Sequence, residues 1–303
     1  MVDALLRDIS SDRLAKAAAT LSERYRAKPP DRPFVRDRID ALAYLATRFP
    51  ATYAVTSTVL DEIARVRPDW HPTTMLDVGA GPATATMAAT QTWPSITQAT
   101  LVEPDPHMRE VGEQLCDGTW TTDVPSGRFD LVVASYVLGE VTDPIAAKLW
   151  GLTADTLVVV EPGTPVGFAV VRDVRTSLDG HTLAPCTHDQ PCPITGDDWC
   201  HFSQRLPRSP THRTAKRAER GYEDEPFSYV VLSRRARPPG GSRVVRAPRR
   251  RSGFVALRTC SDEGLHDRTI SRRDGDTYLA VRRARWGDRL DGKLGTHDTG
   301  GNA

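Results

Sequence analysis

Apolar residues in the first 70 positions recur every three to four residues, which is the spacing of amphipathic helices. The pattern predicts helices over Asp3–Arg26, Phe34–Arg48 and Ala51–Val66, each bounded by proline or polar residues. From Thr74 onward, short apolar runs alternate with helical stretches instead. We therefore expect a helical N-terminal segment followed by a different architecture.

The apolar runs after Thr74 predict buried strands in MLDVGAG, ATLVEP, FDLVVASYV and TLVVVEPG. Between them, helical patterns extend to Thr92 and cover His107–Leu115. Strands that alternate with helices favour a parallel sheet with helices on both faces. The predicted fold class is therefore α/β, a Rossmann-like doubly wound parallel sheet.

After Gly163 the alternation ends, and a loop rich in Pro, Thr and Asp carries three cysteines. Strands are predicted at Glu225–Ser233, Phe254–Cys260 and Thr277–Arg283, and Asp291–Ala303 reads as a flexible tail. We expect an N-terminal helical segment (1–70), a sheet core (71–170), a small β-rich cysteine module (171–290) and the tail (291–303).

Charge is uneven along the 303 residues, although the formal net charge is only +1. Residues 1–200 hold 17 Lys and Arg against 27 Asp and Glu, whereas residues 201–303 hold 23 against 12. Residues 234–251 alone contain eight arginines and no acid. The basic third indicates either a polyanionic partner or simply a solvated surface.

The chain shows no apolar run of the ~18 residues that a membrane span needs, so no membrane partner is expected. Its N-terminus carries acids early and lacks a cationic-then-apolar signal pattern, which predicts a cytoplasmic protein. In a reducing compartment, five cysteines with a cluster among them bind metal or perform chemistry more often than they form disulfides.

A glycine turn in LDVGAGPATATMAA follows the first predicted strand and opens a helix. Gly79 and Gly81 allow positive φ and close approach of a ligand to the backbone. A Rossmann dinucleotide site is the competing interpretation, but Asp77 precedes the glycines and Thr84 stands at the sixth position. An acid there suits a cationic ligand, and Glu103, 22 residues beyond Gly81, is placed to bind ribose hydroxyls.

This turn resembles the first motif of class I S-adenosylmethionine-dependent methyltransferases, with Ala83 in place of the third glycine. The resemblance implies that the glycines lie near the methionine part of S-adenosylmethionine, Glu103 near the ribose and Asp123 near the adenine. A Rossmann-like domain that has lost its ligand is the alternative. The residues implied in cofactor binding are Asp77, Gly79, Gly81, Ala83, Glu103 and Asp123.

Catalytic residues stay unassigned at this stage. The segment SYVLGE after Asp130 lacks both the Asn/Asp-Pro-Pro-aromatic signature and a cysteine nucleophile. Methyl transfer from a sulfonium needs mostly alignment and at most a base, so this absence is not decisive. Tyr136 and Glu140 are candidates for the pocket wall.

Cysteines at 186, 192 and 200 lie in one proline-rich loop, and Cys260 follows after 59 intervening residues. Four thiolates can hold zinc or a cubane iron–sulfur cluster. His188 or His201 is an alternative zinc ligand, and disulfides are the least expected outcome. Cys116, alone on a predicted helix, reads as a small apolar residue.

The segments TLVVVEPGTPVGF, APCTHDQPCPITGDDWCHFSQR, EDEPFSYVVLSRR and RTCSDEG, with a late WGD, resemble the methyltransferase-like proteins associated with the mitochondrial small ribosomal subunit and their bacterial relatives. The resemblance covers about Phe34 to Asp288. It implies a [4Fe–4S] cluster and a role in small-subunit assembly and translation. The implied cluster ligands are Cys186, Cys192, Cys200 and Cys260.

A second basic stretch after Cys200 carries arginines and aromatics, a combination that suits RNA. We expect Phe227 and Tyr229 to lie in the module's own core, and the arginine run to contact RNA. The basic residues are Arg205, Arg208, Arg213, Lys216 and Arg217, with Phe202 and Tyr222 between or beside them. Because metal-bound loops fold with their metal, loss of iron is expected to remove the RNA-binding surface.

Three hypotheses follow. The chain is an S-adenosylmethionine-dependent methyltransferase that binds rRNA on the small ribosomal subunit, with RNA as substrate. Alternatively, it is a non-catalytic assembly factor of the same fold. A zinc-dependent protein-substrate methyltransferase is the third and weakest.

Overall fold

The computed structural model describes residues 2–27, 33–141, 145–237 and 240–291. The chain divides into two compact units. The first comprises Met1–Val158 and Gln204–Glu225, and the second comprises Val159–Ser203 and Pro226–Ala303. In the part of the chain that is described, no helix combines the length and apolar character that a membrane crossing requires.

The first unit begins with four helices and continues as alternating strands and helices. Its helices are α1 (Val2–Leu6), α2 (Ser11–Ala27), α3 (Arg38–Thr47), α4 (Phe49–Val66), α5 (Thr84–Thr92), α6 (Pro106–Glu113), α7 (Ala146–Leu152) and α9 (Pro210–Ala215). Its strands are β1 (Thr74–Val78), β2 (Gln98–Val102), β3 (Thr119–Thr121), β4 (Phe129–Ser135) and most of β5 (Thr153–Pro162) and β7 (Phe202–Pro207). The strand β8 (Tyr222–Ser233) also starts here.

The sheet of the first unit has the strand order β3–β2–β1–β4–β5, and its pairs β1/β2, β1/β4 and β2/β3 are parallel. Residues 75–78 of β1 and 131–134 of β4 are almost fully buried, as expected for strands covered on both faces. The predicted α/β fold with a Rossmann-like, mostly parallel sheet is therefore confirmed. The carboxyl ends of β1 and β2 carry the glycine turn and Glu103.

The N-terminal helices form a core of their own within the first unit. Leu14, Leu21 and Leu45 are buried there together with residues of α6 and α9. The stripe of apolar positions that predicted these helices is thus the face that packs inward. One consequence matters for the site: α9 and its flanks lie beside α2.

The second unit carries helix α8 (Pro165–Ser177), a 3₁₀ turn (Arg272–Asp274) and α10 (Gly275–Val281). Strand β6 (His181–Ala184) pairs antiparallel with β8. A second sheet has the order β10–β11–β9–β13 with β12 paired to β11, where β9 is Ser242–Val244, β10 Arg249–Arg251, β11 Phe254–Ser261, β12 Gly264–Ser271 and β13 Arg289–Leu290.

The C-terminal part of the chain differs from its predicted secondary structure. The strand predicted at Thr277–Arg283 is wrong, because this stretch forms α10. The preceding turn supplies a capping box in which Ser271 and Asp274 satisfy each other's backbone groups, and Tyr278 and Val281, three residues apart, pack on the second sheet's core. The predicted tail lies outside the described residues from position 292 onward.

Gly167 gives a test of the packing that positions α8. A Cβ on Gly167 would lie 2.1 Å from the carbonyl oxygen of Pro162, so we expect Gly167→Ala to lower the free energy of unfolding by ~1–3 kcal/mol. Gly151→Ala is the matched control, because a Cβ there meets nothing within 4 Å. It should raise stability by up to ~1 kcal/mol through helix propensity. Urea unfolding followed by circular dichroism measures both, and equal shifts would contradict the packing argument.

Candidate functional site

Asp77 holds the glycine turn to the helix that follows it. Its carboxylate is 1% exposed, and Oδ2 accepts hydrogen bonds from the Thr86 amide at 3.0 Å and the Thr86 hydroxyl at 2.8 Å. Burial raises the pKa of Asp77 to about 6, and the two Thr86 hydrogen bonds partly offset this effect. The acid before the glycines is therefore engaged with α5 of the same unit. Sequence reasoning missed Thr86.

The glycine turn itself has the left-handed backbone that its sequence suggested. Gly79 and Gly81 have φ of +69° and +54°, and Ala83 has φ of +65°. A Cβ at Gly79 would lie 2.5 Å from a Val137 methyl. Ala83, the departure from the third glycine, keeps a glycine-like conformation at a cost of ~1–2 kcal/mol while its methyl is fully buried.

Glu103 connects the turn to the next strand and helix. Its Oε2 accepts from the Gly81 amide at 2.8 Å, and its Oε1 accepts from the Asp105 amide at 2.8 Å. Burial raises the pKa of Glu103, and these two amides oppose the rise. Asp105 in turn caps α6 by accepting from the His107 and Met108 amides. The carboxylate that sequence reasoning placed at a ribose thus holds the two loops together.

The structure brings Asp77, Gly79, Gly81 and Glu103 to one end of the parallel sheet. Asp123 is exposed and lies two residues beyond Thr121, whose carbonyl accepts from the Glu103 amide at 2.9 Å. Asp123 therefore lies just after the end of β3, the strand that pairs with β2.

At the end of β4, Tyr136 has φ of +59°, and non-glycine residues with such backbones concentrate at functional sites. Glu140 is exposed and its amide donates to the Val137 carbonyl at 3.0 Å.

All four module cysteines line one cavity within the second unit. Cys186, Cys192 and Cys200 come from the proline-rich loop, and Cys260 comes from β11, where it pairs with Arg243 of β9. The remaining wall is mainly apolar, with three arginines: Phe168, Val171, Arg172, Arg175, Pro185, Ile194, Phe202, Tyr229, Val230, Arg243 and Val245. Cys116 lies apart in the first unit, half-buried against an apolar cluster.

The thiols act on one another electrostatically. Burial raises the pKa of Cys200 well above its ordinary value, and Cys186, Cys192 and Cys260 add to the rise. Burial also raises the pKa of Cys260 to about 12, again with contributions from Cys186 and Cys192. Four thiolates in this cavity would repel each other strongly. A cationic group among them would remove that repulsion.

Arginines fix the cysteine loop through its main-chain carbonyls. Arg243 is 3% exposed and donates to the carbonyls of Pro185 and Gly287 at 2.7 Å each. Arg237 donates to the Leu183 carbonyl at 2.8 Å, and Arg246 donates to Asp198 and to the Trp199 carbonyl. These arginines belong to the run that sequence reasoning gave to RNA. Three of the eight arginines in that run therefore hold the loop in place.

Three exposed arginines of the run, Arg249–Arg251, form β10. This strand pairs with β11, the strand that carries Cys260. The aromatics are mostly internal, as expected for Phe227 and Tyr229: both are buried and in ring contact with buried Phe202. Tyr222 is partly exposed and stacks under the Arg205 guanidinium at 4.2 Å.

A groove of about 740 Å³ lies in the first unit between α2 and the segment around α9. Six cations line it against two acids, Asp12 and Glu23, and its floor is largely alanine. The cations are Lys16, Arg26, Arg48, Arg208, Lys216 and Arg217. The α2 and Arg48 members were not predicted, since only tertiary packing brings them beside α9.

Glu223 neutralises part of this groove. It accepts hydrogen bonds from Arg208 at 3.2 Å and from Lys216 at 2.5 Å, and His212 lies 3.1 Å away. Burial raises the pKa of Glu223, but His212 and Lys216 outweigh this effect and lower it to about 2. Lys16 and Arg217 are exposed at the groove wall.

Strand order, glycine turn and strand-end carboxylates together define a methyltransferase-like α/β protein. The sequence family described as mitochondrial small ribosomal subunit Rsm22 matches residues 38–291, and the chain belongs to that family.

Curated relatives include the human protein named ribosome assembly protein METTL17, mitochondrial, which is 28% identical over 82% of this chain and 62% of its own length. A second is the Schizosaccharomyces pombe Rsm22-cox11 tandem protein 2, mitochondrial, 26% identical over 84% of this chain and 43% of its own length. The chain thus spans 62% of the first relative's length and 43% of the second's.

Solved structures similar to the chain include the magnesium protoporphyrin IX methyltransferase of Synechocystis PCC 6803, with 13% identity over 72% of this chain and 93% of that one, at a TM-score of 0.39. The plantazolicin methyltransferase BpumL has 9% identity over 74% and 98%, at a TM-score of 0.44.

The relatives correct one expectation. The cytoplasmic localisation predicted from the N-terminus is wrong, because these relatives are named as mitochondrial proteins. That prediction rested on the lack of a cationic-then-apolar segment, which is a feature of secretory signals and carries no information about mitochondria.

Proposed function

We propose that this chain is an RNA-binding factor of small-ribosomal-subunit assembly or translation, with a methyltransferase fold and a [4Fe–4S] cluster. The observation that carries the proposal is the convergence of Cys186, Cys192, Cys200 and Cys260 on one cavity whose wall includes three arginines. Membership of a family described by the small ribosomal subunit supports the ribosomal partner.

The donor set of the cavity fits an anionic metal cluster. Four thiolates with an iron–sulfur core carry net negative charge, and Arg172, Arg175 and Arg243 supply positive charge in the wall. Within the described residues, no three His, Cys, Asp or Glu side chains are arranged to hold one metal ion. In a cubane cluster each cysteine binds a different iron atom, whereas a zinc ion needs all four sulfurs within ~2.3 Å of one point, and the resemblance to the methyltransferase-like small-subunit proteins favours the cluster.

The metal content of the purified protein distinguishes an iron–sulfur cluster from a zinc ion. Anaerobically purified protein should be brown and carry about four iron atoms per chain, since four cysteines hold a cubane cluster. Cys260→Ser should lose most of the iron, because one ligand of the set is removed, whereas Cys116→Ser should retain it. Metal analysis and visible absorbance measure this. A colourless protein with one zinc would favour the alternative, and protein with neither metal would end the proposal.

The glycine turn supports binding of S-adenosylmethionine in the first unit. Gly79 and Gly81 have the positive φ of the motif, and Glu103 stands at the adjoining strand end, with Ala83 and Asp123 nearby in the motif. Both Glu103 oxygens already accept backbone amides. Ribose hydroxyls would therefore share this carboxylate with the Gly81 and Asp105 amides.

Calorimetry with S-adenosylmethionine tests this site. Wild-type protein should release heat on binding, and Glu103→Ala should weaken affinity at least about tenfold, since a hydrogen bond to a charged group contributes ~1.5–3 kcal/mol. Glu113→Ala, an exposed acid on α6, is the matched control and should bind like wild type. Folded wild-type protein that binds nothing would leave the non-catalytic assembly factor as the function.

RNA is the polyanion that we place on the cationic groove and on β10. The groove lining contains cations and alanines without aromatic rings, so it suits phosphate contacts more than stacked bases. Because β10 pairs with the cysteine-bearing β11, the cluster would stabilise the strand that displays Arg249–Arg251. Loss of iron would then weaken RNA binding, a link that suits an iron-dependent control of assembly.

Salt dependence separates specific groove contacts from general charge. Lys16→Glu and Arg217→Glu, made one at a time, should each weaken binding to small-subunit rRNA fragments and flatten the plot of log affinity against log salt by about 1. Arg13→Glu, exposed on α2 and absent from the groove lining, is the control of equal charge. If Arg13→Glu weakens binding as much as each groove variant, the groove is not the contact surface.

A further inference from the structure

Arg175, in the last turn of α8, has a guanidinium that is only partly used. Its Nη2 donates to the carbonyls of His188 at 2.9 Å and Gln190 at 2.7 Å, and so holds the segment between Cys186 and Cys192. Its Nε is buried and has no hydrogen-bond partner among the described residues, and the residue lines the thiol cavity. A buried donor without an acceptor costs ~1–3 kcal/mol, so this N–H calls for an acceptor in the cavity.

His188 offers a second hydrogen-bond donor to the cysteine cavity. The residue is 6% exposed, and its Nε2 lies 3.7 Å from the Cys260 sulfur. Its Nδ1 is buried and has no hydrogen-bond partner in the part of the chain that is described. A neutral imidazole carries one N–H, and a proton on Nε2 meets the sulfur while a proton on Nδ1 would meet nothing. The geometry therefore assigns the donor to Nε2.

We propose that Arg175 and His188 are positioning residues that donate hydrogen bonds to the sulfur atoms of the cluster site and compensate its negative charge. The inference rests on the proposed cluster. Donors to ligand sulfurs draw off negative charge, favour the reduced form and slow release of the metal.

The other cavity arginines do not take this role. Arg243 directs its guanidinium to two main-chain carbonyls, and the Arg172 guanidinium lies over the Phe168 ring at 5.4 Å. Arg175 lines the same cavity as Cys186 and Cys260, so its positive charge lies near the sulfurs at both ends of the set. The unengaged Nε distinguishes it from a residue that only ties the loop.

The test is the reduction potential of the cluster in the anaerobically purified full chain, with its paramagnetic resonance spectrum and its rate of bleaching by an iron chelator. His188→Phe and Arg175→Gln should shift the potential to more negative values and speed bleaching roughly tenfold or more. Arg175→Lys retains the positive charge but not the planar guanidinium, so its potential and bleaching rate should lie between those of wild type and Arg175→Gln. Arg273→Gln removes an exposed arginine outside the cavity lining and should match wild type.

His188→Phe guards against a trivial explanation, because it leaves the main-chain carbonyl of residue 188 available to Arg175 and so keeps the loop tied. A cluster with wild-type potential and bleaching rate in both His188→Phe and Arg175→Gln overturns this inference and leaves the proposed function standing. Wild-type protein without iron overturns the proposed function, and this inference with it.

Discussion

The second unit depends on hydrogen bonds from one buried and three half-buried arginines to the carbonyls of the cysteine loop. Arg175, Arg237 and Arg243 each donate to main-chain oxygens between residues 183 and 190, and Arg246 does so at Trp199. Pro185, Pro191 and Pro193 remove three amide donors from this loop. The guanidinium groups supply those donors and place positive charge around four thiols. One set of contacts thus shapes the loop and prepares its electrostatics.

In the first unit, the same acidic side chains support both the fold and a candidate cofactor site. Asp77 and Glu103 each accept two hydrogen bonds from their own unit, so the strand-end acids organise the glycine turn before any ligand arrives. Such preorganisation lowers the entropy lost on binding. Because Asp77 and Glu103 stabilise the glycine turn through hydrogen bonds within their own unit, a protein could keep this turn even after losing methyltransferase activity.

The cationic surfaces of the two units differ in kind. On β10 the arginines stand on a short strand held by β11, whereas the groove of the first unit combines α2 with the region of α9. Glu223 fixes Arg208 and Lys216 in that groove, which lowers the cost of ordering long side chains before a polyanion binds. The groove lining has no aromatic side chain on which a base could stack, so its cations favour contacts with backbone phosphates.

The sequence by itself determined the α/β architecture, the glycine turn and the set of four cysteines, because apolar periodicity, glycine and sulfur chemistry are local properties. It could not separate α10 from a strand over Thr277–Arg283, since a short apolar run fits both until the capping turn and the sheet beneath it are present. Nor could it tell an arginine that faces solvent from one that holds a loop, as at Arg243. Tertiary structure alone brought Lys16 beside Arg217 and His188 beside Cys260, because contacts between distant positions depend on how the elements pack.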